Sequence, residues 1–164
     1  MQFAQERETL DVRWKQLQRE AHPDKFAAQG QSAQRLAMQW SVRINEAYQR
    51  LKNPLKRATY LCELNGVRIN AETNTAMPSD FLIKQMVWRE ALDDAESLEK
   101  VQEIAVNVNK DGREQLLNLE RLIDEQRDFH AAAGQVRRLM FVERFTADVG
   151  VRLDLLEQQT VNQK

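Results

Sequence analysis

Apolar residues in this chain recur at intervals of three and four, and no stretch shows the alternation of two that a half-buried strand requires. Leu10, Trp14, Leu17 and Ala21 mark one stripe; Leu36, Trp40, Ile44, Ala47, Tyr48 and Leu51 mark a second. Such periodicity restricts the chain to helices that pack by their apolar faces. It predicts helices at about 4–21, 32–52, 54–64, 79–96, 98–128 and 131–158. Five Gly and three Pro among 164 residues, with 42% apolar and 30% charged, suit an ordered helical chain rather than a disordered one. The expected fold class is all-α.

The interruptions organise the chain. Pro23 disfavours helix at His22 and ends the first helix there. Ala27 to Ser32 reads as a loop ending in an N-cap, so His22-Pro23-Asp24 falls at the tip of a helical hairpin. Asn53-Pro54 starts another helix, with Asn as N-cap and Pro at the first position. Residues 65–78, from Asn65-Gly66 to Pro78, form the clearest linker, and Ser79 or Asp80 caps the next helix. Two domains are expected, 1–64 and 79–164. The second reads as a three-helix bundle. Phe81, Trp88, Leu92 and Ala95 face inward from its first helix, Val101 to Ile123 from its second, and Leu139 to Leu156 from its third. Asn109-Lys110-Asp111-Gly112 is a weak point in the middle helix, although the apolar period runs through it in phase.

Charge divides at the same place. Residues 1–63 hold 11 Lys/Arg and 7 Asp/Glu, a net of +4; residues 64–164 hold 13 and 18, a net of −5. Opposite signs in two parts suggest two partners, while the total of −1 argues against a field suited to nucleic acid or membranes. The lone Cys62 excludes an internal disulfide and a cysteine-built metal site, and is expected to be buried and inert. No apolar run approaches the roughly 20 residues that span a bilayer, and Glu6, Arg7, Glu8, Asp11 and Arg13 break any secretory segment. A cytoplasmic protein is expected.

His22 beside Asp24 has no Ser, Cys or Lys nucleophile placed near it, so the pair does not read as catalytic. Alone it would be a turn. The helix before it, however, presents Lys15 and Arg19 opposite its apolar stripe, with Arg13 at the flank. Beside an exposed tip, these cations form a candidate docking surface for an acidic partner.

The segment Gln18-Arg19-Glu20-Ala21-His22-Pro23-Asp24-Lys25-Phe26 resembles the J-domain signature of DnaJ-type co-chaperones. The run Ile44 to Leu51, continuing to Pro54, Arg57, Ala58, Tyr60 and Leu61, narrows the resemblance. So do Phe81-Leu82 with Arg89 to Leu92, and Val136 to Phe141. Together they are similar to the HscB family, J-type co-chaperones of bacterial iron–sulfur cluster assembly. The resemblance covers nearly the whole chain. It implies an N-terminal J-domain hairpin plus a C-terminal three-helix bundle, with no catalytic residue, cofactor or resident metal. His22, Pro23, Asp24 and Lys25, with Arg13, Lys15 and Arg19, would engage the DnaK-type chaperone HscA and stimulate its ATPase. Leu82, Ile83, Met86, Glu90, Asp94 and Phe141 would bind the scaffold protein IscU. A monomer is expected.

The second patch also has a reading from its own residues. On a helical wheel Phe81, Trp88, Leu92 and Ala95 share one side, while Leu82, Ile83, Met86 and Val87 share the other with Glu90, Asp93 and Asp94. One helix of a three-helix bundle cannot bury both sides, so an exposed apolar patch edged with acids points to a protein interface. Packing of Leu82 or Val87 on the first domain, or a bundle wider than the wheel implies, is the competing explanation.

Three departures from the family stand out. Ala21 replaces an aromatic residue, which costs packing and leaves the tip chemistry intact. Val87 stands where an acid is common, which makes that edge more apolar. The family's aromatic-rich first helix is missing, since Met1-Gln2-Phe3 lies near the start of the second. Leu10, Trp14, Leu17 and the Leu36–Leu51 stripe are then expected to be less covered, and the J-domain less stable. Restoring the segment should raise its melting temperature. The alternative from another class is a helical nucleic-acid module using Arg13, Lys15 and Arg19. It predicts affinity falling steeply with salt, and it leaves His-Pro-Asp and the acidic second half unexplained.

Overall fold

A computed structural model describes residues 2–69 and 77–162, with side chains as far as 159. Residues 70–76 of the expected linker lie outside the described residues. The fold is all-α: α1 (Arg7–Glu20), a 3-10 turn (Pro23–Gln29), α2 (Gln31–Lys52), α3 (Pro54–Leu64), α4 (Ser79–Asp93), α5 (Leu98–Glu120), a π turn (Arg121–Glu125) and α6 (Phe129–Asn162). The chain divides into two compact units, Met1–Leu61 and Cys62–Lys164.

In the first unit, α1 and α2 pair antiparallel. Gln18 of α1 exchanges hydrogen bonds with Ser41 of α2, Nε2 to the carbonyl at 3.0 Å and Oε1 from the hydroxyl at 2.9 Å. One end of the hairpin is tied by Tyr48 Oη, which donates to Asp11 Oδ1 at 2.7 Å. Trp14 stacks on Tyr48 with ring centroids 4.6 Å apart. The apolar stripes face each other, yet no residue of α1 is buried and Ala37 alone is buried on α2. Trp40 remains 56% exposed. Of the expected loop Ala27–Ser32, Ala27–Gln29 end the 3-10 turn, and Gly30, at φ 94°, rather than Ser32 stands before α2, which already includes Gln31 and Ser32. Asn53 caps α3 as its sequence suggests, its Oδ1 accepting from Lys56 N at 2.9 Å. Gly66, at φ 78°, lets the chain leave α3 through a left-handed residue, with Val67 N bonding back to Cys62 O at 3.0 Å.

The second unit closes a core. Phe81, Leu92, Ala95, Val101, Val108, Val142, Phe145, Val149 and Leu156 are buried together. Trp88 stacks on Phe145 at 5.6 Å, and Phe141 meets Phe81 edge-on at 5.8 Å. Ser97 Oγ caps α5 through Lys100 N at 3.3 Å. The Asn109–Gly112 stretch does not break α5, because the apolar period continues through it and Gly112 faces Val142 at ordinary van der Waals distance. The expected helix to 128 ends earlier, in the π turn, and Arg127 takes φ 56° before Asp128 caps α6 through Ala131 N at 2.9 Å. Cys62 is buried, and burial pushes its thiol up to about 11. Ile69 is buried and its carbonyl accepts from Arg137 Nη1 at 3.0 Å, so this part of the expected linker is packed.

Candidate functional site

The tip is held by its own backbone. His22 precedes proline and is extended (ψ 126°), the geometry that Pro23 imposes on it. Pro23 then opens the 3-10 turn, and Lys25 N donates to His22 O at 3.1 Å. His22 Nδ1 accepts from Asp24 N at 3.3 Å and stands 3.6 Å from Asp24 Oδ2. Beneath, Phe26 is half-buried in an apolar groove lined by Leu17, Ala21, Ala33 and Ala37. Ala21 therefore borders the packing under the tip and not the tip itself. Above it, Asp24 is 87% exposed and His22 57%. A carboxylate open to solvent on a backbone fixed by local bonds suits recognition by a partner; no nucleophile stands beside it among these contacts.

Arg13, Lys15, Arg19 and Lys25 are all exposed. On α1, Lys15 and Arg19 lie one turn apart on one side, while Arg13 points elsewhere and bonds Gln16 Oε1 at 3.1 Å. Arg13 also lines a second apolar groove between α1 and α2, together with Arg43 and Arg50. These two α2 arginines escaped the sequence reading because they sit among the apolar positions of their helix rather than on its opposite face. At the far end of the hairpin, Asp11 is held below the ordinary carboxylate range, first by the Tyr48 hydroxyl and then by Arg7, whose Nε lies 3.0 Å away.

The second site lies on α4. Phe81, Trp88 and Leu92 turn into the core, and Leu82, Ile83, Met86 and Val87 turn out; Ile83 is 62% exposed and Met86 70%. Glu90 and Asp94 are exposed beside them, Asp94 closing the helix with its N bonded to Glu90 O at 2.9 Å. α4 ends at Asp93 rather than 96, and Pro78 rather than Ser79 or Asp80 precedes it, without a side-chain cap. Phe141 stands apart from the other five: it is half-buried, against Phe81, with the Arg89 guanidinium 5.7 Å from its ring. Sequence reasoning missed the polar contact under this patch. Lys84 Nζ bonds Asp111 Oδ1, and Asp111 is buried on α5. Among the described residues, no group of three or more His, Cys, Asp or Glu side chains could hold a metal ion, and no helix is long and apolar enough to cross a membrane.

Known proteins share this architecture. Residues 77–150 match the family model described as the HSCB C-terminal oligomerisation domain. The co-chaperone protein HscB homolog of Burkholderia thailandensis is 46% identical over 159 residues, 95% of this chain and 90% of that one. The corresponding homolog of Burkholderia multivorans is 45% identical over the same shares. Among solved structures, chaperone HscB from Vibrio cholerae superposes with a TM-score of 0.80 at 31% identity, covering 94% of this chain and 93% of that one. Human co-chaperone protein HscB gives 0.85 at 30% identity, covering 92% and 76%.

Proposed function

The chain belongs to the HscB family of co-chaperones, and from that membership we propose that it is an adaptor with one docking site in each unit. The first unit acts as a J-domain. Its His22-Pro23-Asp24 tip engages the ATPase domain of the DnaK-type chaperone HscA, and Lys15, Arg19 and Lys25 add cationic contacts to an acidic surface; Arg13 contributes from the flank. The second unit binds the iron–sulfur scaffold protein IscU through Leu82, Ile83 and Met86, with Glu90 and Asp94 at the rim and Phe141 supporting the edge. The protein works in the cytoplasm as a monomer and hydrolyses nothing itself: it brings the scaffold to the chaperone and stimulates the chaperone's ATP turnover during cluster assembly and transfer.

The observation that carries this reading is the exposed, locally braced Asp24. Among the described residues the Asp24 carboxylate makes no hydrogen bond, lying 3.6 Å from His22 Nδ1, so its removal breaks no packing. The apolar side of α4 supports the second half, since a patch of this kind on a folded unit marks an interaction surface. The test is steady-state ATPase stimulation of HscA. Asp24→Asn should reduce stimulation to the unstimulated rate with scaffold binding intact. Retained stimulation in that variant would sink the proposal.

A further inference from the structure

α4 has two apolar sides, and burial alone gives little reason to prefer one. Phe81, Trp88 and Leu92 face in; Leu82, Ile83, Met86 and Val87 face out. Of the three bundle helices, α4 segregates apolar from polar residues least. Turned by half a revolution, it would bury four aliphatic and thioether side chains in place of two aromatics and a leucine. A non-directional force separates two such arrangements weakly. Directional contacts choose the face: Trp88 stacks on Phe145 and Phe81 meets Phe141 edge-on, and Lys84 adds the one that pairs a buried charge. Its ammonium bonds Asp111 Oδ1 and lies 5.1 Å from the centroid of the Trp88 ring. The Asp111 side chain is 7% exposed, and its Oδ2 has no hydrogen-bond partner among the described residues. Rotating α4 would strand that carboxylate in the core without its cation, which is the most penalised outcome for a buried charge. Among the other polar ties of α4, the Arg89 guanidinium lies over the Phe141 and Phe145 rings at 5.7 and 5.9 Å, but from a half-exposed position that buries no charge. Arg89 and Asp148 are 3.6 Å apart and both about half exposed, which makes them weak. Arg152 Nη2 grips the backbone carbonyl of Ala95 at 2.9 Å, a group without side-chain identity.

We propose that Lys84 and Asp111 are positioning residues that set the rotation of α4, and so decide that Leu82, Ile83, Met86 and Val87 are the side offered to a partner. The binding consequence rests on the reading of that side as the IscU site; the rotation does not.

The test uses the full chain labelled with fluorotryptophan, with the Trp88 resonance assigned by Trp88→Phe. The wild type gives one Trp88 resonance with little solvent-isotope shift. Replacing the pair together, Lys84→Met with Asp111→Leu, swaps a buried carboxylate and its partly exposed ammonium for apolar groups of similar volume, so the melting temperature holds or rises. The Trp88 resonance should nonetheless split or move to an exposed environment, and IscU affinity should fall by about tenfold or more. Lys84→Arg keeps the charge and should keep the wild-type resonance and affinity. Because losing the Lys84 ammonium moves the shift by itself, the readout is the solvent-isotope effect: a double variant with one Trp88 resonance that keeps the small wild-type isotope shift overturns the proposal. Should the double variant fail to fold, Lys84→Met alone decides it, with a split resonance or an enlarged solvent-isotope shift expected and a single resonance with the small wild-type isotope shift contradicting it. Wild-type protein that does not bind IscU defeats the docking reading instead, and the Trp88 resonance still reports on the pair.

Discussion

The first unit leaves the apolar stripes of its paired helices α1 and α2 half-covered, with its buried residues chiefly Phe3 and the α3 residues Leu55, Ala58 and Leu61; the second closes three helices over a core. In the first, α1 buries no residue, Trp14 and Tyr48 stack at the edge of a groove, and register comes from polar ties at Gln18–Ser41 and Asp11–Tyr48. In the second, Val101, Val136 and Phe145 are fully shielded from solvent. α1 and α2 share one line of contact, and the short α3 that follows does not bury their stripes, as Trp40 and Leu36 remain more than half exposed. The difference matches function as proposed. The hairpin's task is to hold a short exposed tip, which local backbone bonds already fix. The bundle's task is to present a helix face to a partner, which requires a rigid platform behind it.

The contrast can be broken in several places. Phe145→Ala should produce the largest effect on folding, about 3–5 kcal/mol, read by urea unfolding. A loss below about 1 kcal/mol would mean that the bundle core is not the close-packed interior described. Met86→Asp should weaken IscU binding by about 10–100-fold, or about 1.4–2.8 kcal/mol, with no change in melting temperature, as calorimetry and circular dichroism would show. An equal loss of stability would move Met86 from the docking face to the core. Trp14→Ala should cost about 1–2 kcal/mol, confined to the α1–α2 amides in hydrogen exchange. Protection lost equally in α5 would refute the separation of the two units. Gly150→Ala should stabilise the bundle by about 0.5–1 kcal/mol, because the added Cβ meets open space on a helix.

The smallest effect is a dependence on pH. The Tyr48 hydroxyl and Arg7 hold Asp11 below its ordinary value of 3.8. Its contribution is therefore complete above that value and lost as pH falls through the lower folded one. The hairpin should show this loss below about pH 4, and Tyr48→Phe should diminish it while leaving the Arg7 share.

The sequence makes legible what repeats or breaks a repeat. The six helices, the inward stripe of α5 and α6, the Asn53-Pro54 start of α3 and the two-sided character of α4 all come from spacing and capping chemistry. The His22-Pro23-Asp24 break is legible because proline constrains its neighbour locally. What stays hidden is non-periodic and long-range. Lys84 and Asp111 look like solvated surface residues, since their partnership spans two helices. Gln115 and Gln135 pair across α5 and α6 for the same reason. The π turn after α5 and the left-handed Arg127 are set by how α6 must return, which no local window records. Asn109–Gly112 shows the converse: locally weak residues remain helical when packing on both sides is in phase.

The most direct measurement is the ATPase rate of HscA titrated with this protein, with and without IscU. The account predicts that the wild type stimulates alone and more strongly with IscU. Asp24→Asn should lose both, and Met86→Asp should keep the first and lose the second. Full scaffold-dependent stimulation by Met86→Asp, or any stimulation by Asp24→Asn, would contradict the division of labour between tip and patch.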